Sequence, residues 1–422
     1  MARTLDVYLH GRLIGKLVQD DHGNMAFDYV ESWLSNPAAI PLSQSLPLTN
    51  KHFNRNDCRG FFAGVLPDES KREIIARNLG ISVRNDFAML EKIGGECAGA
   101  VTFIPEGTSL PEQDYTYRQL SAAELAETIR KLPRRPLLAG DDGIRLSLAG
   151  AQDKIAVRVK DGQISIPLNG APSTHILKPA IERFEGVVFN EALCMRLAEA
   201  IGLSVAKVEI GKVETIDYLL VERYDRAVNA EAPGDLRRLH QEDFCQALGV
   251  APEQKYQNEG GPSLKQCFEL IRVASSAPVI DLQALLDAVI FNWLIGNNDA
   301  HGKNFSLVYR GEIGSGLQIR LAPLYDLIST VYYPELSTRM AMKLGEEYAY
   351  DRIAPVSFER LAQEAGLGKP MTKRRVVELA EAVTEKLRAV TNDHPVTLGV
   401  MRAIQSRCEL ILKRFAVERH RA

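Results

Sequence analysis

Asn297-Asn298-Asp299-Ala300-His301-Gly302-Lys303-Asn304-Phe305-Ser306-Leu307 is the stretch from which the rest of the chain can be read. An Asp is followed, after four intervening residues, by an Asn, and then by a short apolar run of strand character. Phosphoryl-transfer enzymes use this spacing. The Asp takes or orients the proton of the attacking hydroxyl, and the Asn holds Mg²⁺ on the nucleotide phosphates. The pattern alone occurs by chance in many loops, so its meaning rests on its surroundings. Just upstream, Leu282, Leu285, Leu286, Val289, Ile290, Trp293 and Leu294 recur at steps of three and four, which predicts a helix with one apolar face. Such a helix would give the loop a rigid support.

Other elements stand around the loop in the order used by enzymes of the protein-kinase type. Leu146-Ser147-Leu148-Ala149-Gly150-Ala151-Gln152-Asp153-Lys154-Ile155 reads as two strands, 144–148 and 155–159, joined by small residues. Small side chains let backbone N–H groups approach phosphate oxygens. The setting suits a flap over a nucleotide, and equally an ordinary hairpin turn. It does not suit a Walker P-loop, which needs G-x-x-x-x-G-K-[ST] and a following helix. Lys178 ends the strand-like run 174–179, where a kinase places the Lys for the α- and β-phosphates; a solvated strand-end Lys looks the same.

Asn190-Glu191 opens a helical pattern. Glu191 is placed either to pair with Lys178 or to profit from the helix dipole. Residues 218–226 form an apolar strand that ends in charges: a hinge whose backbone reads adenine, or a structural ion-pair cluster. Asp326 follows an apolar run 22 residues beyond Asn304, where a second Mg²⁺ ligand belongs, although Tyr325 precedes it and Leu327 and Ile328 follow in place of the common D-F-G. His301, His240 and His175 show no zinc spacing. Asn and Asp oxygens with waters and phosphate suit Mg²⁺ better.

The chain has 422 residues, with 51 basic and 54 acidic side chains and a net charge of −3, which argues against a nucleic-acid binder acting alone. The six cysteines form no C-x-x-C pair and read as buried thiols. No signal-peptide core opens the chain and no apolar run of membrane-span length is evident, so a cytoplasmic protein without membrane contact is expected. Residues 4–30 alternate as a small antiparallel meander. Helical stretches follow near 58–65, 69–79 and 86–93, then a strand at 101–104 and a polar linker at 105–117. A helix begins near Ser121, with Glu124 completing a capping box. From about 242 onward helices dominate. The basic group Lys373-Arg374-Arg375 reads as a solvated helix end.

Together these segments resemble the HipA family of bacterial toxin kinases. The resemblance is carried by 147–154, 174–178, 221–226, 239–246, 255–262, 293–306 and 325–329, and in the N-terminal part by Pro41-Leu-Ser-Gln-Ser-Leu-Pro47 and 61–68. It covers nearly the whole chain. It implies an α+β, two-lobed protein-kinase-like fold. The expected parts are a β-containing N-terminal subdomain (1–117), a kinase N-lobe-like part with flap and hinge (118–240) and a helical C-lobe with catalytic loop and metal site (241–422).

The resemblance also implies a serine/threonine kinase toxin of a type II toxin–antitoxin system, using ATP and Mg²⁺. Its partners would be a small helix-turn-helix antitoxin like HipB, operator DNA through that antitoxin, and a translation component as substrate, with an aminoacyl-tRNA synthetase the leading class. Carried over by position, Asp299 is the catalytic base and Asn304 and Asp326 are the metal ligands. ATP is met by Ala149, Gly150, Ala151, Gln152, Asp153, Lys154, Lys178, Glu222, Arg223, Tyr224, His301, Lys303, Asn304, Tyr325 and Asp326. Ser147 matches an autophosphorylated serine. Two other classes stand beside this one: a DNA-bound corepressor with secondary kinase activity, and a small-molecule phosphotransferase of related fold.

Overall fold

The computed structural model of the chain describes residues 2–110, 115–181, 183–228, 236–312, 315–390 and 392–419. The chain forms two compact units. The first comprises Met1–Pro179, Gly211–Glu253 and Ser306–Ile319, and the second Ala180–Ile210, Gln254–Phe305 and Arg320–Ala422.

Unit one begins with the meander that the alternation predicts. Strands Arg3–Leu9, Arg12–Gln19 and Met25–Tyr29 pair antiparallel, and Val101–Pro105 closes the sheet on the free side of the first strand. Leu5, Val7, Leu9 and Phe27 are fully buried at every second position, as one covered sheet face requires. Helices Arg55–Gly64, Glu69–Leu79 and Asp86–Ile93 stand at the predicted places. So does Ala122–Lys131, with Ser121 and Glu124 in the predicted reciprocal cap. A second sheet runs in the order Thr116–Gln119, Gln163–Leu168, Ile155–Lys160, His175–Pro179, Ile216–Glu222, Val208–Val213.

Two expectations fail here. The linker 105–117 already enters the sheet at Thr116, and its residues 111–114 lie outside the described residues. Residues 144–148 are not a strand: Leu146 makes a single parallel bridge to Glu96. The backbone groups that would build a ladder go instead to one residue, with Glu96 N–H donating to Arg145 O at 2.7 Å and Ser147 N–H to Glu96 O at 2.9 Å. Gly143 and Gly150, both at positive φ, bound the run. The small-residue loop therefore leads into one strand, Ile155–Lys160, and is not a hairpin between two.

Glu96 is also the charge centre of unit one. Its fully buried carboxylate meets Arg223 at 3.2 Å, Arg226 at 2.8 Å and Arg238 at 2.7 Å, and accepts from Ser173 N and Oγ at 2.9 Å. Burial pushes the acid up, but Arg226, Arg238 and Arg223 outweigh it and hold it down at about 2. A second buried acid, Glu242, lies on the strand His240–Asp243, which joins Ser306–Glu312 and Ser315–Leu321 in a separate three-stranded sheet, and ties the segment 41–47 to it. It accepts from Ser43 Oγ, Gln44 N–H (3.1 Å) and Tyr309 OH (2.6 Å). Burial pushes its carboxyl up to about 7, against the pull of those donors.

Unit two is built on the helix Pro278–Ile295. Every residue from Leu285 to Ile295 is buried, so the expected single apolar face is instead a core helix covered all round. It packs against Leu264–Ala274, Lys369–Val390 and Pro395–Arg419. Its 18 residues are long and apolar enough to cross a membrane by length and composition, contrary to the expectation that no such run exists. Here 67% of it lies inside the protein, and its two acids are paired, Asp281 with Arg320 and Asp287 with Arg375. Lys373 and Arg374 likewise meet Glu359 and Glu378.

Glu96→Ala leaves three arginines around an empty charge position and should destabilise the protein by about 3–5 kcal/mol in denaturant unfolding; a loss below about 1 kcal/mol would refute this account. Glu242, with a folded value near 7 against 4.5 in the free acid, favours its protonated form. Its contribution to stability is full below pH 4.5 and disappears as pH rises through 7. The stability of the Glu242→Gln variant should lack that decline, and an unchanged stability–pH curve would remove the acid from consideration.

Candidate active site

The helix Pro278–Ile295 ends at Gly296, whose φ of 72° is left-handed and where a Cβ would lie 2.4 Å from a Val331 methyl. Only glycine meets both demands. Beyond it the loop is held by amides. Asn292 Oδ1 accepts from Asn297 Nδ2 at 2.7 Å, and Asn297 Oδ1 accepts from Asp299 N–H at 3.2 Å. Asn297 Nδ2 also reaches Asp326 O at 3.4 Å. Thr330 Oγ1 accepts from Asn298 N–H at 2.8 Å and donates to Gly296 O at 3.0 Å. Asn190 grips Ser329 on both backbone groups, at 2.9 and 3.0 Å.

This framework presents an exposed Asp299, whose Oδ1 accepts from Tyr256 OH at 2.8 Å. Asn304 N–H donates to His301 O at 2.9 Å, and Asn304 Oδ1 accepts from His301 N–H at 3.3 Å. Tyr325 OH donates to Lys303 O at 2.8 Å, joining the loop 297–304 to the segment that carries Asp326. Asp326 has a φ of 54°, a conformation that non-glycine residues take at a cost of about 1–3 kcal/mol and that clusters at functional sites. His301 is buried, with an Nδ1 that has no hydrogen-bond partner. Burial, then Lys255 and Lys303, push it down to about 3, so its ring is neutral at physiological pH. Unit two thus brings together Asp299, His301, Lys303, Asn304, Tyr325 and Asp326. Asn304 and Asp326 offer hard oxygens, the donor type of a Mg²⁺ ion that keeps waters and phosphate as its other ligands. Among the described residues no cluster of three His, Cys, Asp or Glu stands ready for another metal.

Unit one holds the remaining candidates. Lys178 is buried on its strand opposite Leu219. Lys154 Nζ donates to Ala149 O at 2.8 Å and closes the loop 149–154 on itself, and a Cβ at Gly150 would meet that ammonium at 2.7 Å. Ser147 is fully buried, and its Oγ donates to Val65 O at 2.9 Å. Of the hinge trio, Glu222 is exposed and Tyr224 OH donates to Gln241. The Arg223 side chain is committed to Glu96 and Asp225, so the ion-cluster reading holds for it, and its N–H donates to Thr174 O at 2.9 Å. Glu191 is buried one turn inside the helix Val187–Ala200, beyond the reach of the N-terminal dipole.

Nothing in the sequence pattern marks Tyr256, Asn297, Thr330 or Glu96 for a role. Tyr256 does lie in the 255–262 motif, which had carried no chemistry.

The fold and this loop define a protein-kinase-like phosphotransferase. A family model of the HipA-like C-terminal domain matches residues 146–390, and one of the HipA N-terminal domain matches residues 5–104. The chain is 47% identical to the Sinorhizobium fredii protein Y4mE over 93% of both chains. It is 30% identical to the serine/threonine-protein kinase toxin HipA of Shewanella oneidensis over 92% of this chain and 89% of that one. The structure of Shewanella oneidensis HipA with HipB and operator DNA matches it with a TM-score of 0.85, 28% identity and 98% coverage of each chain. The chain belongs to the HipA family of serine/threonine kinase toxins, and it is a kinase.

Tyr256→Phe removes one hydrogen bond to a carboxylate, worth about 1.4 kcal/mol or roughly tenfold in rate. The expected result is a lower kcat with the KM for ATP unchanged, read from initial rates over an ATP series. A raised KM at constant kcat would place Tyr256 in nucleotide binding instead.

Proposed function

We propose that the chain is an active toxin kinase that transfers the γ-phosphoryl group of Mg·ATP to a serine or threonine of a protein. The observation that carries this reading is the loop 297–304, braced by buried amides so that an exposed Asp299 stands on the same framework as Asn304 and Asp326. Asp299 is the base that acts on the incoming hydroxyl. Asn304 and Asp326 hold Mg²⁺, which when bound neutralises phosphate charge. His301, Lys303 and Tyr325 contact the nucleotide, and the unpartnered buried Nδ1 of His301 supports such a contact. Within unit one, the loop 149–154 and Lys178 are read as phosphate-binding and residues 222–224 as adenine-binding.

The substrate class is a translation component, an aminoacyl-tRNA synthetase first, and phosphorylation of Ser147 limits the enzyme's own activity. The partner is a HipB-like helix-turn-helix antitoxin that brings the chain to operator DNA in the cytoplasm. The Shewanella oneidensis assembly supports that partnership, and the net charge of −3 suits DNA contact through a partner. The same assembly favours a second reading, in which corepression is the main role and kinase activity is secondary.

Asp299→Asn should keep nucleotide affinity in calorimetry while phosphoryl transfer nearly vanishes, whereas Asp326→Ala should lose both. Equal loss of affinity in the two variants contradicts this division of roles. In gel-shift titrations the isolated chain should bind operator DNA weakly, with tight binding arising only when the antitoxin is added. Tight, salt-sensitive binding by the chain alone would reverse the assignment.

A further inference from the structure

The loop 149–154 consists mostly of small residues and has no strand partner across it, so something else must place it. Several contacts of the loop and its root run to one short segment of the N-terminal domain, residues 65–71. Ser147 Oγ, at the root of the loop, donates to Val65 O at 2.9 Å. Pro67 and Gly150 form a parallel bridge, and Asp68 N–H donates to Gly150 O at 3.3 Å. At the far end, Asp153 meets Lys71 Nζ at 2.6 Å, with side chains only 17% and 15% exposed. Lys71 lies on the helix Glu69–Leu79, inside the span of the N-terminal family domain, and Asp153 lies inside the span of the C-terminal one.

We propose that Lys71 is a positioning residue for the nucleotide loop: by pairing with Asp153 it holds residues 149–154 in place, and through them keeps Ser147 buried. A backbone bridge at Gly150 fixes one point of the loop and leaves it free to swing about that point. The ion pair supplies the second point. Its partial burial makes it stronger than a solvated surface pair, and loss of Lys71 leaves Asp153 half-buried without its partner. A freed loop loses its grip on the phosphates, and the hydroxyl at its root is released from Val65. Two effects should therefore move together: weaker nucleotide binding and faster modification of Ser147. The inference rests on the reading of 149–154 as the phosphate-covering loop.

The test compares full-length wild type with Lys71→Met, Lys71→Arg, Asp153→Asn and the Lys71→Met/Asp153→Asn double variant. Measurements are the affinity for Mg·ATP by calorimetry, KM and kcat on a generic serine-containing protein substrate, and phosphate at Ser147 by mass spectrometry over time. Lys71→Met should raise the dissociation constant and KM about fivefold with kcat within about twofold, and should speed Ser147 modification by a similar factor. Lys71→Arg should restore wild-type values, and Lys71→Met should add nothing once Asp153 is Asn. A purely structural lysine would lower the melting temperature without the split between KM and kcat, and that outcome overturns the proposal. So does Lys71→Met behaving as wild type while Asp153→Asn alone weakens nucleotide binding. If Ser147 is never modified in any variant, the self-limiting reading fails, and the affinity cycle alone still decides the role of Lys71.

Discussion

A carboxylate with no exposed surface organises unit one. Burying Glu96 in isolation would cost several kcal/mol, and only the convergence of Arg223, Arg226 and Arg238 makes it tolerable. That requirement fixes the geometry of three separate stretches at once. Residues 223–226 must turn their guanidinium groups inward, Arg238 must reach in from beyond, and Ser173 must present both N–H and hydroxyl before the strand carrying Lys178. The backbone of Glu96 meanwhile holds Arg145 and Ser147, the root of the loop 149–154. Irregular backbone lacks a ladder to satisfy its polar groups. Here a charge cluster places the irregular segments beside the sheet, and the root of the candidate loop and the candidate hinge hang from it, while Lys178 is held by its strand.

Unit two solves the same problem with neutral groups. Asn190, Asn297, Asn298 and Thr330 bind backbone in and around the loop 297–304, Asn292 holds the Asn297 side chain, and none of them needs to touch a substrate. Neutral amides suit a place where a bound triphosphate and metal would compete for any fixed charge. They also hold Asp326 at a positive φ, a strain the loop could not keep unless its neighbours over-determined it. The buried helix behind Gly296 supplies the rigidity that the amides transmit.

What the sequence revealed follows the range of the interactions. Capped helices such as Ala122–Lys131 and the alternating first meander are local, and both were legible. The motif around Asp299 was legible because its parts are contiguous. The strand expected at 144–148 failed because a residue some fifty positions away takes its hydrogen bonds, and apolar alternation carries no record of that. The helix Pro278–Ile295 was recognised, but its burial on all sides depends on three other helices, and a stripe of leucines underestimates it. Tyr256 and Asp299 stand 43 positions apart and Arg223 and Glu96 stand 127 apart, so only folding shows that they meet.

The burial of Ser147 sets a clock on any self-modification. To present its hydroxyl, the root of the loop must give up at least three hydrogen bonds besides the Lys71–Asp153 pair: Ser147 N–H to Glu96 O, Ser147 Oγ to Val65 O, and Asp68 N–H to Gly150 O. At about 1 kcal/mol net for each, opening costs about 3 kcal/mol, which leaves the open form at under roughly one molecule in a hundred. A site so rarely offered is modified slowly compared with a substrate serine that is always exposed. Under the proposed reading the kinase therefore completes many turnovers before it disables itself. The length of that interval is set by Glu96 and by how firmly the segment 65–71 holds the loop, so residues remote in sequence from Asp299 govern when the kinase stops itself.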